Sequence, residues 1–216
     1  MPIKFYLFCA TRWEIHPSIY FIPNTHVIIT GIGAQRTSRA LRQWAEKEKS
    51  VPPDSSFLLS VGFSGATHKS LHSYDIVLAN QVRWITYETG WHTKKELCFP
   101  EENLLPSYHG RQFKDSRIVW GQIGTVSRPV FLPHSKKKLG ESCAICSVDM
   151  ESFVIAQWAQ ERHLPFLAIR IILDNVEEPL FGWKPLEFPR RVFKARDLLG
   201  EFLREFLPKQ QNTKNK

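Results

Sequence analysis

Apolar positions along this chain fall into short unbroken runs separated by amphipathic stretches. Ile3 to Ala10 is nearly all apolar and predicts a buried strand. His26 to Thr30 predicts a second, followed at once by Gly31-Ile32-Gly33. From Ser38 to Lys49, Leu41, Trp44 and Ala45 recur at helical spacing between Arg39, Arg42, Glu46 and Lys47, which predicts a helix. Pro52 to Ser56 stops that helix and leads to a third strand at Phe57 to Val61. Asp75 to Ala79 predicts a fourth strand and Ile118 to Ile123 a fifth. Between them, Thr86 to Arg117 lacks either period and reads as loop excursions with room for a short helix. Asp149 to Arg162 is the clearest helix, stopped by His163-Leu164-Pro165. Phe166 to Ile172 has the continuous apolar character of a strand in a parallel sheet. Arg190 to Leu207 closes the pattern as an amphipathic helix carrying Leu198, Leu199, Phe202 and Phe206.

Alternating strands and helices predict an α/β fold, a three-layer sandwich with a central mixed sheet flanked by helices. With 216 residues and no internal repeat, one domain over residues 1–208 is expected, with 209–216 as a frayed basic tail. No run of 18 apolar residues occurs, so a spanning helix is not expected. Four cysteines suit a reduced, cytoplasmic protein. Cys143-Ala144-Ile145-Cys146 has the spacing of a metal or redox pair but lacks a second ligand pair.

Charge adds one question. The chain has 29 Lys and Arg against 21 Asp and Glu, a formal +8. Setting aside Lys209, Lys214 and Lys216 in the tail and the cluster Lys136-Lys137-Lys138 leaves +2. No basic stripe remains to read nucleic acid. The cluster is expected to aid solubility or to give weak association with an anionic membrane surface.

Candidate motifs are weighed by what surrounds them. Gly31-Ile32-Gly33 opens a helix as a phosphate-cradling turn would, but Arg36 stands where a dinucleotide fingerprint needs its third glycine. Gly62-Phe63-Ser64-Gly65-Ala66 has the form of a nucleophile elbow, yet too little chain precedes Asp75 for the required helix. Small residues there suit close approach of a ligand to backbone. His68 and His72 have i, i+4 spacing, with Lys69 where a zinc protease carries glutamate; no metal is expected. Asp174 ends the apolar strand and opens a loop, the place where ligands gather in open α/β sheets. Glu151 sits at a strand-to-helix passage, where a dipole-compensating acid is also common.

Two segments in order carry a resemblance. Asp149-Met150-Glu151 enters a helix, and Pro165-Phe166-Leu167, Arg170 and Asp174 follow on the next strand. Together with Thr30-Gly31-Ile32-Gly33 and Ser60 to Ala66 leading to Asp75-Ile76-Val77-Leu78, this resembles the nucleoside phosphorylase/nucleosidase superfamily. That group includes methylthioadenosine/S-adenosylhomocysteine nucleosidases, futalosine hydrolases, purine nucleoside phosphorylases and hopanoid-associated phosphorylases. The resemblance implies a partly barrel-like central sheet, a homo-oligomer, a small-molecule nucleoside substrate and cleavage of a purine N-glycosidic bond without a cofactor. By similarity, Asp174 serves as general acid to the base, Glu151 accepts ribose hydroxyls and Met150 packs on the sugar. Gly62, Phe63, Ser64 and Gly65 line the pocket, Val130 falls at the base-contacting segment, and Arg170 belongs to the substrate-binding set. Glu14, in Ala10-Thr11-Arg12-Trp13-Glu14, is the candidate to activate water, and the A-T-x-x-E-I-x-P reading of Ala10 to Pro17 resembles futalosine hydrolases in particular.

The resemblance is incomplete at two places. Ser60 and Phe63 stand where phosphorylases carry their phosphate ligands, with Arg12 a partial substitute. Leu173 replaces the serine that usually precedes the catalytic aspartate. Hydrolysis of a 5′-substituted adenosine or futalosine-type nucleoside is therefore the expected reaction. Phosphorolysis, with phosphate as co-substrate and extending to a nucleoside-bearing hopanoid lipid, is the alternative; a non-catalytic nucleoside-binding relative is a second.

Overall fold

The computed structural model describes residues 3–48, 55–100, 112–114, 116–177 and 187–213. The expected helix stop at Pro52 to Asp54, residues 101–111 of the expected loop region, Glu178-Pro179 and Lys214 to Lys216 lie outside them.

Nine strands and four helices follow one another along the chain, among the described residues. β1 (Lys4–Cys9) and β2 (Thr25–Ile29) precede α1 (Ala34–Lys47). β3 (Ser56–Ala66), β4 (Ile76–Tyr87), β5 (Trp91–Cys98), the short β6 (Gln112–Phe113) and β7 (Ser116–Val126) follow. Then come α2 (Pro133–Cys143), β8 (Ser147–Asp149), α3 (Ser152–Gln160), β9 (Phe166–Asp174) and α4 (Glu187–Thr213).

The sheet is mixed. β1 pairs in parallel with β2 and β3, and β3 in parallel with β9. β9 then meets β4 antiparallel, β4 meets β7 in parallel, and β7 meets β8 in parallel. β8 returns to pair antiparallel with the far end of β3, so the pairings run round a closed circuit. β1 and β2 extend from it on one side and β5 on the other.

Side-chain alternation along the strands divides the core into two layers. Phe5, Leu7, Leu59, Leu167, Ile169 and Ile171 face one way, against Val192, Ala195, Leu199, Phe202, Leu203 and Phe206 of α4. Tyr6, Phe8, Leu58, Phe166 and Ala168 face the other way, against Leu41 and Trp44 of α1 and Phe153, Ala156 and Trp158 of α3. Each fully buried large side chain contributes about 1.5–3 kcal/mol from area removed from water. α4 and α1/α3 therefore clamp opposite faces of the same strands.

Four expectations need revision. β3 does not end at Val61 but runs on through Gly62 to Ala66, because β9 and β8 supply partners along its whole length. Ser64 accordingly sits on a strand rather than on an elbow before a helix. The region expected to be loop contains β5, whose five consecutive positions His92 to Glu96 are solvent-facing and so carry no apolar alternation. Its Lys94 and Lys95 suit an outer strand that must not recruit further strands. Pro133 to Cys143 is a helix that the basic cluster hid. Finally, α4 continues to Thr213, into the segment expected to fray, where Gln210 and Gln211 are good helix formers.

Candidate functional site

β1, β2, β3 and β9 run in parallel, so their carboxyl ends share one side of the sheet. At that side lies a cavity of about 580 Å³. Ala10, Thr11, Trp13 and Glu14 line it from the end of β1, Phe63 to Gly65 from β3, Val126 from β7, Asp149 to Glu151 from the end of β8, and Leu173-Asp174 from β9. Val130 and Phe131 line it from the segment before α2, and Phe188, Val192 and Phe193 from α4. Three expected carboxylates, Glu14, Glu151 and Asp174, are thus brought to one cavity from chain positions far apart.

Glu14 lies in a short 3-10 turn (Arg12–Glu14) just past β1 and is only 9% exposed. Its Oε2 accepts from the Thr11 amide at 2.8 Å and its Oε1 from the Phe63 amide at 3.2 Å. Burial raises its pKa above the usual carboxylate range, while the Arg170 guanidinium and these amides oppose the rise. Gly62 makes the approach feasible: a Cβ there would lie 2.7 Å from Glu14 Oε1.

Glu151 caps the start of α3 and turns its side chain away from its own helix. Its Oε1 accepts from the Gly33 amide at 2.7 Å, at the head of α1. Gly33 has φ +90, a conformation that L side chains rarely adopt. The anion at this helix start is therefore a protein carboxylate, which removes the dinucleotide reading of Gly31-Ile32-Gly33. Burial, then the charge of Asp149, push the Glu151 carboxyl up to about 7, against the pull of Arg170.

Arg170 does not touch the cavity; its expected place among substrate-binding residues is corrected. It is 2% exposed, and its Nε donates to Asp149 Oδ2 at 2.9 Å. Its Nη2 donates to Ser60 Oγ at 2.7 Å and Ser152 Oγ at 3.0 Å. Asp149 Oδ1 also accepts from Thr125 Oγ1 at 2.7 Å. The alternation of β9 turns Arg170 to the α3 side, so it braces β3, β8 and α3 from behind the site. Gly62 likewise lies behind Glu14 rather than on the cavity wall. Met150, Phe63, Ser64, Gly65 and Val130 do line the cavity. The Ser64 hydroxyl is buried at that wall with no hydrogen-bond partner among the described residues.

Asp174 stands beside a register shift: Ser64 pairs with Ile172 but Gly65 with Asp174, so Leu173 is the extra residue of a bulge. The bulge gives both Leu173 and Asp174 access to the cavity. Asp174 Oδ2 accepts from the Lys136 ammonium of α2. Lys136 is 1% exposed, whereas Lys137 and Lys138 are exposed; it does not belong to a solvent-facing basic cluster. Sequence reasoning missed it, although Lys136, Leu139, Gly140 and Cys143 fall on one helical face, all buried. It also missed the aromatic contributions of Trp13, Phe188 and Phe193.

The remaining candidate motifs take structural places. His68 Nδ1 pairs with Ser70 Oγ at 2.8 Å, and His72 lies 3.9 Å from Asp75. All four cysteines are free thiols, and burial raises those of Cys9, Cys143 and Cys146. Among the described residues no helix is long and apolar enough to cross a membrane.

A mixed α/β sheet with helices on both faces and a carboxylate-lined cavity at its strand ends defines an α/β fold whose cavity lies where such sheets gather ligands. The phosphorylase superfamily model matches residues 23–207, and the chain belongs to that family, whose members are enzymes acting on nucleosides. No match is found among curated protein sequences. Solved structures with the same fold include a 5′-methylthioadenosine/S-adenosylhomocysteine nucleosidase from Colwellia psychrerythraea in complex with adenine. It is 17% identical, covers 98% of this chain and 96% of its own, and has a TM-score of 0.75. An S-adenosylhomocysteine nucleosidase from Streptococcus pyogenes is 15% identical over 96% of this chain and 97% of its own, with a TM-score of 0.75. A futalosine hydrolase mutant from Helicobacter pylori is 16% identical over 96% and 99%, with a TM-score of 0.69.

Proposed function

We propose that this protein hydrolyses the N-glycosidic bond of a purine nucleoside, of the 5′-substituted adenosine or futalosine type. One observation carries the choice of water over phosphate. The backbone amides of Thr11 and Phe63, beside the cavity, are already satisfied by the Glu14 carboxylate. A phosphate seated there would meet a buried carboxylate, whereas a water would meet a base. Ser60, at the other expected phosphate position, is fully buried and tied to Arg170.

In the reaction, the C1′–N9 bond breaks with its electron pair going to the base, leaving an oxocarbenium-like sugar. Glu14 takes a proton from water as the water oxygen bonds to C1′. Asp174 gives the departing base its proton, and Glu151 accepts a ribose hydroxyl through the oxygen not bound to Gly33. Each proton transfer of this kind contributes about 10²–10⁴-fold. The largely apolar wall formed by Val130, Phe131, Phe188 and Phe193 excludes water other than the attacking one. The sites call for no metal or organic cofactor in this scheme.

The reading extends to a cytoplasmic homo-oligomer. Phe21 is 85% exposed and Leu132 58%, apolar surface that a second copy would cover. Light scattering on the purified chain tests this; a strict monomer at micromolar concentration rejects it.

The main test is base release from methylthioadenosine, futalosine and inosine, each with and without phosphate. Free sugar as product at an unchanged rate when phosphate is omitted is the expected result. Strict phosphate dependence with sugar-1-phosphate as product supports phosphorolysis instead. Binding without turnover of any of the three supports the non-catalytic reading.

A further inference from the structure

We propose that Lys136 is a positioning residue for the reaction, holding the Asp174 carboxyl from behind the cavity wall. The inference rests on the hydrolase reading above and adds a residue to it.

A buried ammonium is costly to desolvate unless paired, and replacing a buried ion pair by apolar side chains is often neutral or stabilising. Packing alone would therefore be served better by leucine or methionine on this face of α2, next to Leu139 and Cys143. Lysines that simply solvate the helix are present one and two positions on, at Lys137 and Lys138. Lys136 instead points inward, is 1% exposed, and donates to Asp174 Oδ2. Asp174 lines the cavity and Lys136 does not, so any influence of the ammonium on a ligand passes through Asp174.

The backbone is shaped around the pair. A Cβ at Gly65 would lie 2.9 Å from Asp174 Oδ1 and 3.2 Å from Lys136 Nζ, so only glycine leaves both groups where they are. The residue before Asp174 is Leu173, which offers no hydroxyl to hold the carboxyl; the ammonium supplies a donor from the opposite element. With Oδ2 anchored, Oδ1 stays at the Gly65 edge of the cavity. The proton that Asp174 donates is carried on Oδ1 while Oδ2 accepts from the ammonium; once it has passed to the departing base, the ammonium faces the carboxylate that remains. That charge is largest late in the reaction, so the stabilisation acts on turnover more than on substrate binding.

The test compares wild type, Lys136→Met, Asp174→Asn and the double variant, using methylthioadenosine turnover and adenine binding by calorimetry. Circular dichroism and thermal melting check that each variant folds. Lys136→Met is expected to lower kcat by about 100-fold, the scale of a misplaced catalytic group, with KM changed less than about threefold. In the Asp174→Asn background the same change is expected to cost less than about threefold, because the group it positions is gone. Lys136→Met is also expected to weaken adenine binding about tenfold, and again only when Asp174 is present.

If Lys136→Met does not fold, Lys136→Gln keeps a neutral donor and the double variant removes both charges, and the same comparison is made with them. Loss of similar size in both backgrounds, or a kcat for Lys136→Met within threefold of wild type, overturns the proposal and leaves the hydrolase reading standing. If wild type releases no base, the hydrolase reading fails, and coupled loss of adenine binding still supports the positioning role. If wild type binds no adenine either, both are overturned.

Discussion

Glu14 and Phe63, 49 residues apart, are joined by a hydrogen bond from the Phe63 amide to Glu14 Oε1 at 3.2 Å. The bond ties the end of β1 to the middle of β3 and fixes a buried carboxylate on the cavity wall. A carboxylate held by amides is a directed proton acceptor. Glu14→Gln keeps the shape and one of the two amide contacts but not the basicity. It is expected to lower kcat by about 10²–10⁴-fold while adenine affinity changes little. Stopped and steady-state assays of base release measure this, and a variant with more than a tenth of wild-type kcat would remove Glu14 from the base role. Because burial raises the Glu14 pKa, activity should fall on acidification at a higher pH than an ordinary carboxylate would give.

Glu151 predicts a pH dependence of stability. Its folded pKa of about 7 lies above the ordinary 4.5, so the folded chain binds the proton more tightly than the unfolded chain. That stabilisation is complete below about pH 4.5 and is lost as pH rises through about 7, on the order of 3 kcal/mol in all. Glu151→Gln removes the titration and should flatten the wild-type decline. Thermal melts of both proteins at pH 5 and pH 8 give the comparison. The variant should gain on wild type at pH 8, and an identical pH response in the two would contradict the assignment.

Much of the frame is legible in the chain because β1, β3 and β9 are buried on both faces and α1 and α4 on one. Apolar continuity marks the strands, and the spacing of Leu41 and Trp44 or Leu199, Phe202 and Phe206 marks the helices. β5 was not legible, since an outer strand with Lys94 and Lys95 facing solvent has no apolar period to read. Asp174 could be picked out because it ends an apolar strand and Glu151 because it sits at a strand-to-helix passage, whereas Glu14 is marked only by the family resemblance of the segment after the first strand. Their partners could not be picked out. Lys136 looks like one of three surface lysines until the orientation of α2 is known. Arg170 lies one helical network away from the cavity because strand alternation, visible only with the register, turns it toward Asp149.

Gly62 is a sensitive position for the same reason that Glu14 is well held. A methyl group at Gly62 would sit 2.7 Å from Glu14 Oε1 and 3.0 Å from its Cδ. Gly62→Ala should displace the carboxylate from the Thr11 and Phe63 amides with little effect on the surrounding core. We expect about a 100-fold loss of kcat/KM, in the range of a positional error of about 1 Å at a catalytic group. Melting temperature should fall by only a few degrees, on the order of 1 kcal/mol for a chain of this size. Unchanged activity would mean that Glu14 has freedom the packing does not suggest.

Arg170 should matter to stability more than to chemistry. Arg170→Met fills much of the space but leaves Asp149 buried without its charge partner and Ser60 and Ser152 without a shared donor. Breaking a buried pair in this way costs about 3–5 kcal/mol. Urea unfolding followed by fluorescence of the tryptophans measures the loss. Adding Asp149→Asn to Arg170→Met should recover part of it, because the orphaned charge is then removed. Additive losses would argue that the two residues are not coupled as their 2.7 Å ion pair implies.

Trp13 and Phe193 meet edge to face at 5.8 Å where the turn after β1 approaches α4, and both line the cavity. Trp13 is 61% exposed and Phe193 39%, an unusual exposure for two large aromatic rings in contact. Ligand burial there would remove apolar area from water at about 25 cal/mol per Å². The substituent best suited to that contact is an apolar one on the sugar, since in the proposed reaction the carboxylates attend to the base, the ribose and the water. Phe193→Ala should therefore raise KM for methylthioadenosine about tenfold, equivalent to about 1.4 kcal/mol, and barely change KM for adenosine, which lacks the apolar group. Turnover at saturation should be preserved for both. Equal effects on the two substrates would place the 5′ group elsewhere in the cavity. An effect on kcat alone would tie α4 to closure over the substrate rather than to recognition of its substituent.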